Sequence, residues 1–336
     1  MEDNQEQLTL FSIPEGDAEA PKKKKAAPRK KSKKETQPNM FASSYEKPNF
    51  PKHIRLIEFF AGIGAQAKAL EILNADFEHW RTCEWSWQSI TAYNAIHMGG
   101  KVADTSSLSY DEVISKIQGV SNDYNQPMTE AQLRKKGEKW ARELLGRMIA
   151  NNNVCPNVSA LRAKDLDIRE RERNTYVLTY SFPCTDLSSA GQMKGMAKGS
   201  GTRSGLLWEV ERILLECKEL DCLPQVLVME NVPNVIGSKN IEPFNQWLDS
   251  LRQMGYMNYY EIMNAANYAI PQNRNRCFMV SVLGQYSFEF PKPMPLKYLI
   301  KDFIERRVND SYYLPDKMVE DFQRYVEESQ SEDGTN

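Results

Sequence analysis

Cys184 directly follows Pro183 in "SFPCTDLSSAGQMKG" (residues 181–195), at the end of the apolar run "TYVLTYSF". Proline stops a strand's hydrogen-bond ladder and fixes the backbone, so the thiol is expected to project from a strand end. The small polar residues after it suit an open loop. A cysteine so placed is a candidate nucleophile, whereas Cys155, Cys217, Cys222 and Cys277 read as structural residues. A second strand-like run, "QVLVMENV", ends in Glu230 and Asn231. A carboxyl at the end of an apolar strand is either a buried proton donor with a raised pKa or a cap or turn residue. Gln272, Arg274 and Arg276 follow at i, i+2 and i+4, and on an extended chain they project to one side. Such a trio either grips a base edge or phosphate, or forms a surface ion-pair ladder.

A fourth group lies upstream. "LIEFFAGIGAQAKAL" reads as strand, glycine turn and helix, with Phe60, Gly62 and Gly64 at the turn. Two glycines allow close approach of a ligand to the backbone and to free helix N–H groups, or simply make a tight turn. About twenty residues on, the next strand ends in Glu84 and Trp85. A carboxylate there can accept hydrogen bonds from both hydroxyls of a ribose. Trp85 either covers a flat adenine or packs in the core. Asp167 and Ile168, ahead of the Cys184 strand, either reach the adenine amino group or belong to a solvated loop.

The elements that must carry these residues alternate. "IRLIEFF", "FEHWRTCEW", "TYVLTYSF", "QVLVMENV" and "RCFMVSV" read as strands. "AQAKALEIL", "LLWEVERILLECKEL" and "EPFNQWLDSLRQM" read as helices. The alternation predicts an α/β fold, a doubly wound and mostly parallel sheet, with ligands at the carboxyl ends of the strands. Residues 105–160 interrupt the rhythm and read as a helical insertion, in which "TEAQLRKKGEKWARELLGRMIANNN" is expected to form one amphipathic helix.

The chain has 336 residues, 43 basic and 45 acidic, for a formal charge of −2, so the totals alone do not announce a nucleic-acid binder. The distribution is less even: residues 22–34 carry nine positive charges and no negative ones. Residues 1–50 read as a disordered basic tail. The six cysteines form no C-x-x-C pair, so no disulfide framework and no metal site is expected. No apolar stretch is long enough to span a bilayer, and no signal peptide is evident, so a cytoplasmic, nucleoid-associated location is expected.

Taken in order, "FFAGIG", "PCTDLS", "MENV" and "QNRNR" resemble four motifs of the DNA cytosine-5 methyltransferases, over roughly residues 54–290. The resemblance implies a Rossmann-like methyltransferase fold with S-adenosylmethionine as cofactor and double-stranded DNA as partner. It implies that Cys184 attacks C6 of a flipped-out cytosine, that Glu230 protonates or hydrogen-bonds N3, and that Arg276, supported by Arg274, holds O2. Phe60, Gly62, Gly64, Glu84, Trp85, Asp167, Ile168 and Leu206 would form the cofactor pocket, with Ser188, Asn231 and Gln272 near the flipped base. An RNA cytosine-5 methyltransferase and an inactive DNA- or clamp-binding remnant are the alternatives. The resemblance leaves open whether the enzyme pairs with a restriction enzyme or stands alone.

The chain departs from the pattern at Thr185, where Gln is usual, at Glu58, where Asp is commoner, and at Ala65, where a third Gly is usual. Residues 291–336 read as a helical extension, and neither a target-recognition region nor a closing motif is evident. A second subunit carrying both is the expectation, with gene truncation as its rival. In the tail, Gln7, Leu8, Leu10 and Phe11 resemble the short peptide that docks bacterial proteins on the replication sliding clamp. The lysine run is a candidate nonspecific phosphate contact.

Overall fold

A computed structural model describes residues 46–187 and 194–332. Six strands form one sheet: β1 (Ile54–Phe59), β2 (Phe77–Cys83), β3 (Thr175–Tyr180), β4 (Val226–Asn231), β5 (Tyr256–Asn264) and β6 (Asn275–Leu283). The helices are α1 (Ala65–Ile72), α2 (Trp87–His97), α3 (Tyr110–Lys116), α4 (Glu130–Lys135), α5 (Glu138–Ala150), α6 (Leu207–Glu219), α7 (Ile241–Gln253) and α8 (Asp316–Glu332). The strand order is β2-β1-β3-β4-β6-β5. Neighbours from β2 through β4 pair in parallel, and β6 runs antiparallel to both β4 and β5. The chain leaves β1 toward β2 on one side and returns to β3 on the other, so the order reverses beside β1. Open α/β sheets bind ligands at such a switch point, at the carboxyl ends of the strands.

The central strands are apolar because helices cover both faces. Leu178, Leu227, Leu214, Phe244 and Trp247 have no exposed surface and lie in one continuous core. α7 buries its Phe244–Trp247–Leu248–Leu251 stripe, spaced i, i+3, i+4 and i+7, while its other side stays polar.

The helical insertion differs from expectation in one respect. Gly137, at φ 90°, breaks the predicted single helix into α4 and α5, because that backbone angle is open to glycine and strained for other residues. α3, α4 and α5 build a second apolar cluster on Ile90 of α2, so the segment is packed onto the domain. After α5 the chain rejoins the sheet: the Thr82 N–H donates to the Asn152 carbonyl at 2.9 Å, and the Val154 N–H donates to that of Thr82 at 3.1 Å.

Beyond β6 the picture changes. Met294, Leu299, Ile300, Phe303, Ile304, Tyr312, Met318, Phe322 and Tyr325 are all exposed. Met318, Phe322 and Tyr325 share one face of α8 by their i, i+4, i+7 spacing. No helix among the described residues is long and apolar enough to cross a membrane.

Replacing Leu178 by alanine at the centre of β3 is expected to cost about 2–5 kcal/mol, because the rigid sheet cannot collapse into the space. Urea unfolding of the two proteins checks this.

Candidate active site

The Pro183–Cys184 corner is held from four directions. The Asn231 side-chain amide donates to the Phe182 carbonyl at 3.0 Å, tying the end of β4 to the residue before Pro183. The Ser204 hydroxyl donates to the Pro183 carbonyl at 2.7 Å. The Asp186 carboxylate accepts from the Ser204 N–H at 3.2 Å. Asn234 donates its amide to the Leu187 carbonyl. Cys184 itself is half-buried and makes no side-chain hydrogen bond among the described residues. A corner whose Phe182, Pro183, Cys184 and Leu187 carbonyls are engaged holds its free thiol in one place, which is what a positioned nucleophile requires. The other thiols are disfavoured as thiolates. Burial pushes Cys83, Cys155, Cys217 and Cys222 up, and lifts Cys277 to about 12.

Glu230 and Arg276 meet across the β4–β6 pair, with Arg276 Nε 2.8 Å from Glu230 Oε1. The register explains the contact. Glu230 stands opposite Phe278 and Asn231 opposite Cys277, so Arg276 is the next residue toward the carboxyl end of β4. The two side chains are about a quarter exposed, at 21 % and 24 %. They are sheltered enough to hold their geometry and open enough to exchange partners.

The shared face expected of Gln272, Arg274 and Arg276 does not form. Only Arg276 lies in β6. The Gln272 N–H donates to the Ile270 carbonyl and the Arg274 N–H to that of Gln272, two tight turns in succession where the chain would have to be extended. Gln272 and Arg274 are exposed, and no partner for the Arg274 guanidinium appears among the described residues.

At the glycine turn, Phe60, Gly62 and Gly64 all have positive φ, at 55°, 56° and 80°. For phenylalanine this is a strained conformation, of the kind that persists only where its surroundings enforce it. A Cβ on Gly64 would lie 2.3 Å from His97 Nε2, so that position has no room for a side chain. The Gly62 N–H donates to Glu84 Oε2 at 2.7 Å, and the Ser86 N–H to Oε1 at 2.8 Å. Burial pushes Glu84 up, against the pull of these backbone donors. Trp85 beside it is half-buried, and its ring makes no aromatic contact among the described residues. Glu58, at the end of β1, is buried and accepts from the Tyr93 hydroxyl at 2.7 Å and the Ala67 N–H at 3.3 Å. Burial lifts its carboxyl to about 6, although both donors favour the ionised form.

Asp167 lies beside β2. Its carboxylate pairs with Arg81 at 3.1 Å and Arg169 at 3.4 Å. The chain beside it meets the Tyr176 hydroxyl near the first residues of β3, at the amino end of the sheet. Ile168 packs on the core there. Asp167 and Asn153, whose amide bonds Glu84, line one cavity beside Arg81. The residues that flank Glu84 belong to the stretch after α5: Asn153 donates its amide to the Glu84 carbonyl at 2.8 Å. Leu206, in a short 3-10 turn before α6, packs against the core next to Ser204. Ser188 and the tail residues Gln7, Leu8, Leu10 and Phe11 lie outside the described residues.

A half-buried thiol, an acid–guanidinium pair and a glycine turn thus lie at the end of one mixed sheet where its parallel strands finish. The sequence model of the C-5 cytosine-specific DNA methylases matches residues 108–336, more than half of the chain. The chain belongs to that family. It is 37 % identical over 270 residues to the orphan methyltransferase M.SssI of Spiroplasma monobiae, covering 78 % of this chain and 67 % of that protein. It is 33 % identical over 271 residues to the type II methyltransferase M2.ScrFI of Lactococcus lactis subsp. cremoris, covering 80 % and 72 %. Among solved structures it is similar to the Dnmt2 methyltransferase of S. pombe, at a TM-score of 0.47 and 18 % identity, covering 78 % of this chain and 63 % of that one. The methyltransferase EhMeth of Entamoeba histolytica gives 0.48 and 17 %, with 80 % and 65 % covered. This DNA cytosine-5 methyltransferase accordingly uses S-adenosylmethionine. The turn fits such a cofactor: Glu84 keeps lone pairs beyond its backbone donors, and the glycines remove side chains from the approach.

Ser204, Asp186, Asn234 and Asn153 carry no signal in the sequence. Their role is to bond loop carbonyls and N–H groups, and any polar residue in a loop has that capacity. Two outcomes are expected. Glu58 holds its proton more tightly when folded, so this contribution to stability is complete below its ordinary pKa of 4.5 and is lost as pH rises through about 6. Between pH 4.5 and 7 the wild type should lose about 2 kcal/mol relative to Glu58→Gln in urea unfolding; parallel curves would refute the assignment. Removing the Asn231 tie with Asn231→Ala should lower kcat about tenfold to a hundredfold while leaving cofactor affinity within about twofold, as read by single-turnover methylation and calorimetry.

Proposed function

We propose that Cys184, Glu230 and Arg276 carry the methylation of cytosine in DNA through a covalent adduct at C6. The observation that carries this reading is the Arg276–Glu230 contact at the strand ends, next to a corner that holds a free thiol. Unmodified C5 is a poor nucleophile. Bond formation between Cys184 Sγ and C6 pushes the ring's electron pair toward N3 and C5 and turns C5 into an enamine carbon. Glu230, protonated from solvent once the entering base draws Arg276 away, delivers a proton or a hydrogen bond to N3, so the ring does not accumulate a full negative charge. Arg276 neutralises Glu230 in the resting site and is placed to donate to O2 of the entering base. Bound S-adenosylmethionine supplies the electrophilic methyl group that C5 accepts. Loss of the C5 proton then expels Cys184 and restores the aromatic ring. The base must leave the duplex, because a thiol reaches C6 only from above the ring plane.

Phe60, Gly62, Gly64, Glu84, Trp85, Asp167, Ile168 and Leu206 are the residues we assign to the cofactor, and Ser188, Asn231 and Gln272 to the surroundings of the base. Exposed Arg274 and Gln272 suit a phosphate or a base edge at the rim. The uncovered apolar side chains between Met294 and Tyr325 support a contact with a target-recognition region on a second polypeptide. The tail peptide at Gln7–Phe11 is proposed as a clamp hook, and the lysines at 22–34 as a salt-sensitive DNA contact.

The test is transfer of tritiated methyl groups to DNA and, in parallel, to RNA, with a recognition subunit supplied where transfer requires one. Cys184→Ser should reduce transfer to DNA at least about a thousandfold while leaving cofactor binding unchanged. Arg276→Ala should lower kcat about a hundredfold. Full activity of the Cys184 variant, or transfer to RNA alone, would overturn the reading.

A further inference from the structure

Behind the glycine turn, three side chains from three elements converge. Glu71 of α1, His79 of β2 and His97 at the end of α2 each bring a ligand-capable atom within 4.8 Å of the other two. The hydrogen bonds around them fix where the ring protons sit. Tyr93 gives its only proton to Glu58 at 2.7 Å, so its oxygen can only accept from His79 Nδ1, also at 2.7 Å. That leaves His79 Nε2 with a lone pair. The Ile63 carbonyl, an acceptor, lies 3.0 Å from His97 Nε2, so this nitrogen carries the hydrogen. His97 Nδ1 then faces a second acceptor, Glu71 Oε1, at 2.7 Å. An imidazole lone pair and a carboxylate oxygen do not bond to each other without a cation between them. The His97 side chain is completely buried, and Glu71, 30 % exposed, leaves one open side to the cluster.

We propose that Glu71, His79 and His97 form a binding site for a divalent transition metal of the zinc class. Two neutral imidazoles and one carboxylate are borderline ligands that favour Zn2+, Co2+ or Ni2+ over Mg2+ or Ca2+, which prefer oxygen. Metal–ligand bonds of about 2.0–2.2 Å require the His97–Glu71 contact to open by about half an ångström, and water completes the tetrahedron. The outer contacts are those of metal-bound histidines, whose second ring nitrogen donates to a carbonyl or another fixed acceptor. Here those acceptors are Ile63 O and Tyr93 Oη, while Glu71 Oε2 remains paired with Lys68 Nζ at 2.7 Å. The metal joins α1, β2 and α2, and through the Ile63 carbonyl it steadies the cofactor turn. It takes no part in the chemistry at Cys184.

The test uses the full chain, stripped with a chelator and titrated with Co2+. One equivalent should give the visible absorption bands of a tetrahedral cobalt site, and Zn2+ should displace them. His79→Ala and Glu71→Gln should each weaken Zn2+ binding at least about tenfold to a hundredfold, read by competition with a coloured chelator. The wild type should also melt at a higher temperature with one equivalent of Zn2+, and the variants should not. If the wild type shows no cobalt bands and no shift with zinc, the cation between His97 and Glu71 is a proton and the proposal fails. It fails equally if both variants bind Zn2+ as the wild type does, because the metal then sits on other groups.

Discussion

The arrangement depends on one reversal of strand direction. Parallel strands deliver their carboxyl ends to one side of the sheet, so the ends of β1, β2, β3 and β4 present the glycine turn, Glu84, the Cys184 corner and Glu230 together. β6 runs the other way, and its amino end therefore arrives at the same side. That is why a residue at the beginning of a strand, Arg276, meets a residue at the end of another, Glu230. With β6 parallel, the guanidinium would lie at the opposite side of the sheet. The register sets the fine position, since a slip of one residue would turn Arg276 to the other face.

The polar groups at this end are kept costly on purpose. Glu58 and Glu84 are buried carboxylates, each held by donors from the backbone or from Tyr93. Phe60 keeps a left-handed backbone, and Gly64 sits against His97 with no space for a Cβ. Buried charge and strained backbone are retained where the surrounding structure over-determines them. The hydrogen bonds to Glu84 join the first and second strand ends, so the turn after β1 and the tip of β2 behave as one unit.

Much of this was legible in the sequence because it rests on local signals. Pro183 marks the end of a strand, the glycines mark the turn, and alternating apolar runs mark the sheet. What was not legible depends on the path of loops. Asp167 has the right type and a plausible distance along the chain, and its pairing with Arg81, 86 residues away, has no local signal. Gln272 and Arg274 lie in tight turns that i, i+2 spacing cannot exclude. Gly137 split a helix that apolar periodicity alone would continue. β5 carries no alternation to read because it is the edge strand, where Tyr260, Glu261 and Ile262, consecutive residues on alternate faces, are all exposed. The His79–His97–Glu71 cluster draws on three separate elements, and only the folded chain assembles it.

The bare face of α8 has a thermodynamic consequence. A helix of 17 residues draws most of its order from the surface it packs on, and its own propensity is marginal in water. Covering that face would therefore steady the helix as well as bury its side chains. Any polypeptide that covers Met318, Phe322 and Tyr325 would register calorimetrically as a fall in heat capacity, because exposed apolar surface leaves water.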